Sequence, residues 1–159
     1  MLAPTRYSWS DDMTDVHSPD QRSFNMSRIR GKDTKPEVLV RKYLYSRGFR
    51  FRKNLRTLPG KPDIVLSKYR TCIFINGCFW HRHDTCRYFT WPKSNTEFWK
   101  EKINSNVERD ERNYALLKNN GWKVIIVWEC ELKKDKICET LENLEKQIRD
   151  NDSPGESRL

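Results

Sequence analysis

With 159 residues and 19.2 kDa, the chain has the size of one domain and can bury a real core. No apolar run approaches the ~20 residues of a membrane span, the first residues lack the apolar segment of a secretory signal, and five cysteines cannot close a complete disulfide framework. A formal charge of +9, a pI of about 9.4, 12% aromatic residues and six tryptophans favour a polyanionic partner, with cations meeting phosphate and rings stacking on bases.

Residues 1–24 are polar and read as a flexible tail, 25–149 as a single domain, and 150–159 as a second tail. Between them, Arg28, Arg30 and Lys32 form a basic arm able to touch phosphates, although a solvated tail fits the charge equally well. Thr34-Lys35-Pro36-Glu37 opens a helix: Thr34 caps it, Pro36 suits the first turn, and Glu37 completes a capping box. Val40, Tyr43 and Leu44 give it an apolar stripe, and Gly48 stops it.

Phe49 to Lys53 alternates apolar and basic residues, as a half-buried strand does. After the turn-rich Leu58-Pro59-Gly60-Lys61-Pro62, the strands Asp63–Leu66 and Thr71–Asn76 are close enough to form a hairpin. Antiparallel pairing sets Asp63 beside Ile75 and Asn76. Ser94-Asn95-Thr96-Glu97 reads as another capping box, starting a long helix to about Asn119 with Trp99, Ile103 and Val107 on one face. Lys123 to Trp128 is a nearly continuous apolar run, the pattern of a strand covered on both sides. A helical crossover makes it parallel to the Thr71–Asn76 strand, so Cys130 arrives next to Cys78. Ile137, Leu141, Leu144 and Ile148 mark a last amphipathic helix.

The stretch Thr71 to Cys86 collects the chemistry. It holds two of the chain's three histidines, and its cysteines follow an apolar strand that breaks at Asn76-Gly77. Cys78, His83, Cys86 and Cys130 form a thiolate and imidazole set of the kind that holds structural zinc. Asp84 is a possible substitute ligand, and the exchange of His81 for His83 stays open. Ordinary buried thiols are the competing reading, but they leave His83 and the polar loop unexplained. Cys72 and Cys138 read as packing residues. Asp63, with a nearby backbone carbonyl, can hold magnesium. His81, as an imidazole with an ordinary pKa of ~6.5, can take a proton from water. Trp122, Trp128 and much of Phe98 read as core; Phe79 and Trp80, in the polar loop, read as exposed. Trp91 has no assigned place.

Five strings now stand together: Asn25-Met26-Ser27-Arg28-Ile29-Arg30, Leu58-Pro59-Gly60-Lys61-Pro62-Asp63, Gly77-Cys78-Phe79-Trp80-His81, Glu97-Phe98-Trp99 and Val127-Trp128-Glu129-Cys130. In order and content, from about Ser23 to Leu132, the chain resembles the very-short-patch-repair (Vsr) DNA mismatch endonucleases. The resemblance implies a restriction-endonuclease-like α/β fold, with a central mixed β-sheet flanked by helices and one structural zinc. It implies magnesium-dependent nicking of duplex DNA 5′ of the T in a T:G mismatch, a lesion left when 5-methylcytosine made by a companion methyltransferase deaminates. The expected setting is the bacterial cytoplasm and nucleoid, with the protein a monomer and no membrane involved.

By the same resemblance Asp63 and the Ile75 carbonyl bind magnesium, His81 is the general base, Glu37 assists, and Asn76 belongs to the catalytic group. Cys78, His83, Cys86 and Cys130 bind zinc, while Phe79, Trp80 and Trp99 form an aromatic wedge. Two departures stand out. Asn76 occupies a place where an acid or histidine is common, and an amide carries no proton charge at neutral pH. The His83–Cys86 interval is also longer than in a familiar member. Two other readings remain: a zinc-stabilised DNA-binding module without catalysis, or a related nuclease with a different target.

Overall fold

The computed structural model describes residues 33–150. The expectations for the two tails, Asp150 apart, and for Arg28, Arg30 and Lys32 therefore lie outside the described residues.

The first described helix, α1 (Lys35–Ser46), starts as its sequence requires. Thr34 is extended, and its hydroxyl accepts the Glu37 N–H at 3.5 Å. Glu37 returns the favour one residue earlier than an ideal capping box, accepting the Asp33 N–H at 2.9 Å. Val40 and Leu44 of this helix are fully buried. The expected strand over Phe49–Lys53 shrinks to β1 (Arg52–Lys53), with both residues exposed. Phe49 turns into the core instead and meets Tyr69 edge-on at 5.4 Å.

Strands β2 (Ile64–Leu66) and β3 (Thr71–Asn76) form the expected antiparallel hairpin, with Ile64 opposite Ile73. Helix α2 (Thr96–Asn119) crosses to β4 (Lys123–Trp128), which runs parallel to β3 with Asn76 opposite Trp128. The strand order β1-β2-β3-β4 makes a mixed sheet. A 3-10 turn, Glu129–Leu132, leads to α3 (Ile137–Asp150). Two details differ from expectation. Helix α2 has no side-chain cap; its N-cap is Asn95 in the left-handed region (φ 51°), and the Thr96 hydroxyl donates back to the Pro92 carbonyl at 3.2 Å. In β4 only Ile125 and Val127 are buried, because β4 ends the strand order and its alternate residues are only partly covered.

Side chains alternate across a strand, so the sheet buries two apolar layers. Ile64, Leu66, Ile73, Ile125 and Val127 pack with Val40 and Leu44 of α1 and Leu141, Leu144 and Ile148 of α3. Val65, Cys72 and Phe74 face the other way, onto Leu117 and Tyr114 of α2. Each fully buried Leu or Ile here contributes roughly 1.5–3 kcal/mol relative to exposure. The result is an α/β fold with helices on both faces of a mixed sheet, the arrangement of a restriction-endonuclease-like domain. Among the described residues, no helix is long and apolar enough to cross a membrane.

Candidate active site

The C-terminal end of β3 is where the chemistry collects. The hairpin register, with Ile64 opposite Ile73, carries Asp63 to a position opposite Phe74, one short of the expected Ile75. The side chain covers the remaining step: Asp63 Oδ2 accepts the Ile75 N–H at 2.7 Å. Burial pushes the Asp63 carboxyl up to about 6; the Ile75 N–H opposes this, the Glu37 charge adds to it, and His81 and Arg41 oppose it more weakly. Glu37, Asp63 and His81 therefore share one electrostatic neighbourhood, although they come from a helix start, a strand start and a loop. Glu37 is itself buried, with Arg41 Nη1 at 3.9 Å. That guanidinium nitrogen is buried and has no hydrogen-bond partner among the described residues, while its neighbour Nη2 holds Asp33 at 2.7 Å.

His81 points at α2. Its Nδ1 lies 2.5 Å from Asp110 Oδ2. Asn76, also buried, donates from Nδ2 to the Tyr114 hydroxyl oxygen at 3.0 Å. Asp110 and Tyr114 are four apart on α2, so they share one face of the helix. Burial chiefly pushes the Tyr114 phenol up to about 12, with the Asn76 hydrogen bond opposing. Asp110 and Tyr114 were not singled out from sequence. The one available signal was their i,i+4 spacing on a helix directed at the Asn76–His81 loop, and the surrounding Glu and Arg residues masked it.

The same loop carries a second cluster. Backbone turns from Cys78 O to His83 N (2.9 Å) and from His83 O to Cys86 N (2.9 Å) fold the loop back on itself. The pairing of Asn76 with Trp128 brings Cys130 in from the end of β4. One ligand atom from each of Cys78, His83, Cys86 and Cys130 then lies within 4.8 Å of the others, a group that can hold a metal ion. Trp128, expected in the core, is only half-buried and stacks on the His83 ring at 4.2 Å, nearly parallel. The Cys86 sulfur accepts the Tyr88 N–H at 3.4 Å. Burial raises the Cys78 thiol to about 12 and raises Cys130 as well, so these sulfurs are poor anions unless something positive joins them. Asp84 stays exposed, paired with Arg82 at 3.2 Å and outside the cluster. Cys72 is buried as expected, but Cys138 is exposed on α3, not packed.

Phe79, Trp80 and Trp99 form a half-buried triangle with ring centroids 5.2–5.9 Å apart. Phe89 (6.4 Å from Phe79) and Trp91 (5.1 Å from Phe89) extend it, which gives Trp91 its place. Phe98, expected largely in the core, is 56% exposed at the far end beside Trp99. Trp122 is half-buried beneath the Arg70 guanidinium at 4.3 Å.

Comparison with known proteins adds to this geometry. Residues 14–87 match the family model described as DNA mismatch endonuclease Vsr. The chain is 46% identical to the DNA mismatch endonuclease Vsr of Escherichia coli K12, over 80% of this chain and 81% of that protein. It is 56% identical to the type II nicking enzyme V.NmeAIP of Neisseria meningitidis, over 87% of this chain and 99% of that protein. A third relative, the type II nicking enzyme V.XorIIP of Xanthomonas oryzae pv. oryzae, is 48% identical over 76% of this chain and 88% of its own length.

Proposed function

The chain belongs to the Vsr family of DNA mismatch endonucleases, and on that footing we propose that it nicks duplex DNA 5′ of the T in a T:G mismatch, with Asp63 and His81 at the reacting phosphate. The observation that carries this reading is the contact of His81 Nδ1 with Asp110 Oδ2 at 2.5 Å. In the neutral tautomer that donates from Nδ1 to this carboxylate, the other ring nitrogen carries a lone pair. That nitrogen can take a proton from an attacking water, and Asp110 steadies the imidazolium that results. Asp63 supplies the anionic ligand expected for magnesium, assisted by the Ile75 carbonyl; Glu37, close by and buried, reinforces the negative potential. Magnesium, when bound, supplies Lewis acidity to the scissile phosphate and acidity to a bound water.

The donor set of the second cluster fits zinc. At a Zn–S bond of ~2.3 Å, tetrahedral ligands sit ~3.8 Å apart, which four atoms within 4.8 Å reach by small side-chain adjustments. Cys78, His83, Cys86 and Cys130 would hold it, pinning the loop that carries His81 to the end of β4.

Phe79, Trp80 and Trp99 would enter the duplex beside the mismatch, where a weakened step unstacks at lower cost. Arg28, Arg30 and Lys32 would add phosphate contacts. The substrate would arise from deaminated 5-methylcytosine, linking the protein to a methyltransferase, and it would act as a monomer on the bacterial nucleoid.

Otherwise identical duplexes carrying T:G, T:A or C:G test this directly. The expected result is magnesium-dependent nicking of the T:G duplex alone, abolished in Asp63→Ala with binding retained. Cutting of T:A or C:G instead would redirect the target. Binding without any cut would leave a zinc-stabilised DNA-binding module.

A further inference from the structure

We propose that Tyr114 donates a hydrogen bond to the scissile phosphate, and that Asn76 is the positioning residue that holds it to this task; the proposal rests on the strand-nicking reading above. An amide nitrogen has protons and no acceptor, so in the 3.0 Å contact with Asn76 Nδ2 the Tyr114 oxygen is the acceptor. The phenol's own proton is left over. Among the described residues no acceptor takes it.

Its location gives that proton a use. Tyr114 stands one helical turn beyond Asp110, the residue that holds His81, so both helix side chains line the same end of β3. Asp63 and Asp110 both bear electrostatically on the Tyr114 phenol. The ring is fixed as well: it packs edge-on to Phe74 at 4.8 Å and 62°. Asn76 is buried at the last position of β3, directly after the Ile75 peptide that contacts Asp63. A phenol this reluctant to ionise stays a donor across the working pH range and does not compete with His81 for the role of base. A prearranged donor of this kind stabilises the charge that builds on phosphate oxygens as the bond breaks. Asn76 thus contributes through the tyrosine, to which its Nδ2 donates.

The experiment compares the parent, Tyr114→Phe, Asn76→Ala, the double variant and Asp63→Ala on a T:G duplex. It reads single-turnover nicking with magnesium, DNA affinity without it, and the thermal midpoint. Tyr114→Phe keeps the ring against Phe74, so its expected loss is on the order of 100-fold in rate, with affinity and melting unchanged. Asn76→Ala should lose less, and the double variant should be no slower than Tyr114→Phe, the non-additivity of two residues acting as one unit. A merely structural tyrosine would lower the thermal midpoint and leave the rate per folded molecule intact. The proposal is overturned if Tyr114→Phe nicks within about twofold of the parent while Asp63→Ala is inactive. If Asn76→Ala does not fold, Tyr114→Phe alone decides. A parent that nicks nothing overturns this proposal and the nicking reading together, so the two failures are distinguishable.

Discussion

Two groups of polar side chains lie within a few residues of each other at the end of β3, and they follow opposite plans. The Cys78–His83–Cys86–Cys130 cluster is closed. Its four ligand atoms approach within 4.8 Å, one imidazole is clamped by Trp128, and one sulfur already receives a backbone N–H. The Asp63 site is open. One carboxylate is desolvated, held by a single peptide N–H, and opposed by a second acid, Glu37. Closed sets serve stability and open sets serve reactions, because chemistry needs a free position and a group that is not yet satisfied. The difference makes the two sites separable by substitution.

The largest expected effect is on the closed site. If the cluster holds zinc as proposed, stripping it with a strong chelator, or Cys130→Ala, should cost several kcal/mol and lower the thermal midpoint by about 15 °C or more. Elemental analysis alongside thermal denaturation checks this. A cluster emptied without any change in melting would mean that it is not a fold-holding site.

At the open site the comparison predicts opposite signs for activity and stability. Asp63→Asn should reduce nicking by roughly 1,000-fold or more. The same change should stabilise the protein in the absence of magnesium. The Asp63 carboxyl titrates at about 6 in the folded protein against 3.8 when unperturbed, so the folded state binds this proton more tightly. The stability from that proton is full below pH 3.8 and is lost as pH rises through about 6. Above that, the ionised carboxylate costs ~3 kcal/mol, from ~2 pKa units at 1.36 kcal/mol each. Denaturant melts without added magnesium should therefore show Asp63→Asn more stable than the parent at pH 8 and equal to it near pH 4. A parent that is the more stable protein at pH 8 would contradict this. A smaller effect is expected at Asp110→Asn: an amide can hold the imidazole in the wrong tautomer, so nicking should fall about 100-fold with little change in melting or DNA affinity.

The two sites also differ in how far the sequence disclosed them. The closed cluster was legible because thiols and imidazoles are few, and because the apolar runs Thr71–Asn76 and Lys123–Trp128 set two parallel strand ends side by side. At the open group, the sequence disclosed only the placement of the strand and loop residues. Asp63 followed from the hairpin spacing, with a one-residue slip that the side chain absorbs. Asp110 and Tyr114 did not stand out: both sit on α2 among acids and arginines of the same types, and sequence alone does not say which helical face turns toward β3. The coverage of β4 was misread for a related reason. An apolar run reports what a strand would bury, but the strand order decides what is available to cover it. Phe98 and Cys138 were misplaced because an apolar side chain near a core is not thereby in it.

The smallest effect tests how tightly the open site is braced from behind. Gly60 lies in the turn that delivers Asp63, at φ +74°, and a Cβ there would stand 3.0 Å from Asn113 Cβ and 3.2 Å from the Phe74 ring. Phe74 also supports Tyr114. Gly48 has a similar φ of +87° with nothing within 4 Å of an added Cβ. Alanine at either position carries the left-handed backbone cost, roughly 1 kcal/mol. Only Gly60→Ala must also push a helix residue and an aromatic ring aside. Its denaturation midpoint should therefore fall further than that of Gly48→Ala, by about another 1 kcal/mol, and nicking should slow a few-fold through the Phe74–Tyr114 contact. Equal losses in the two variants would show that the turn presses on nothing, and that Asp63 owes its position to the strand pairing and the Ile75 hydrogen bond alone.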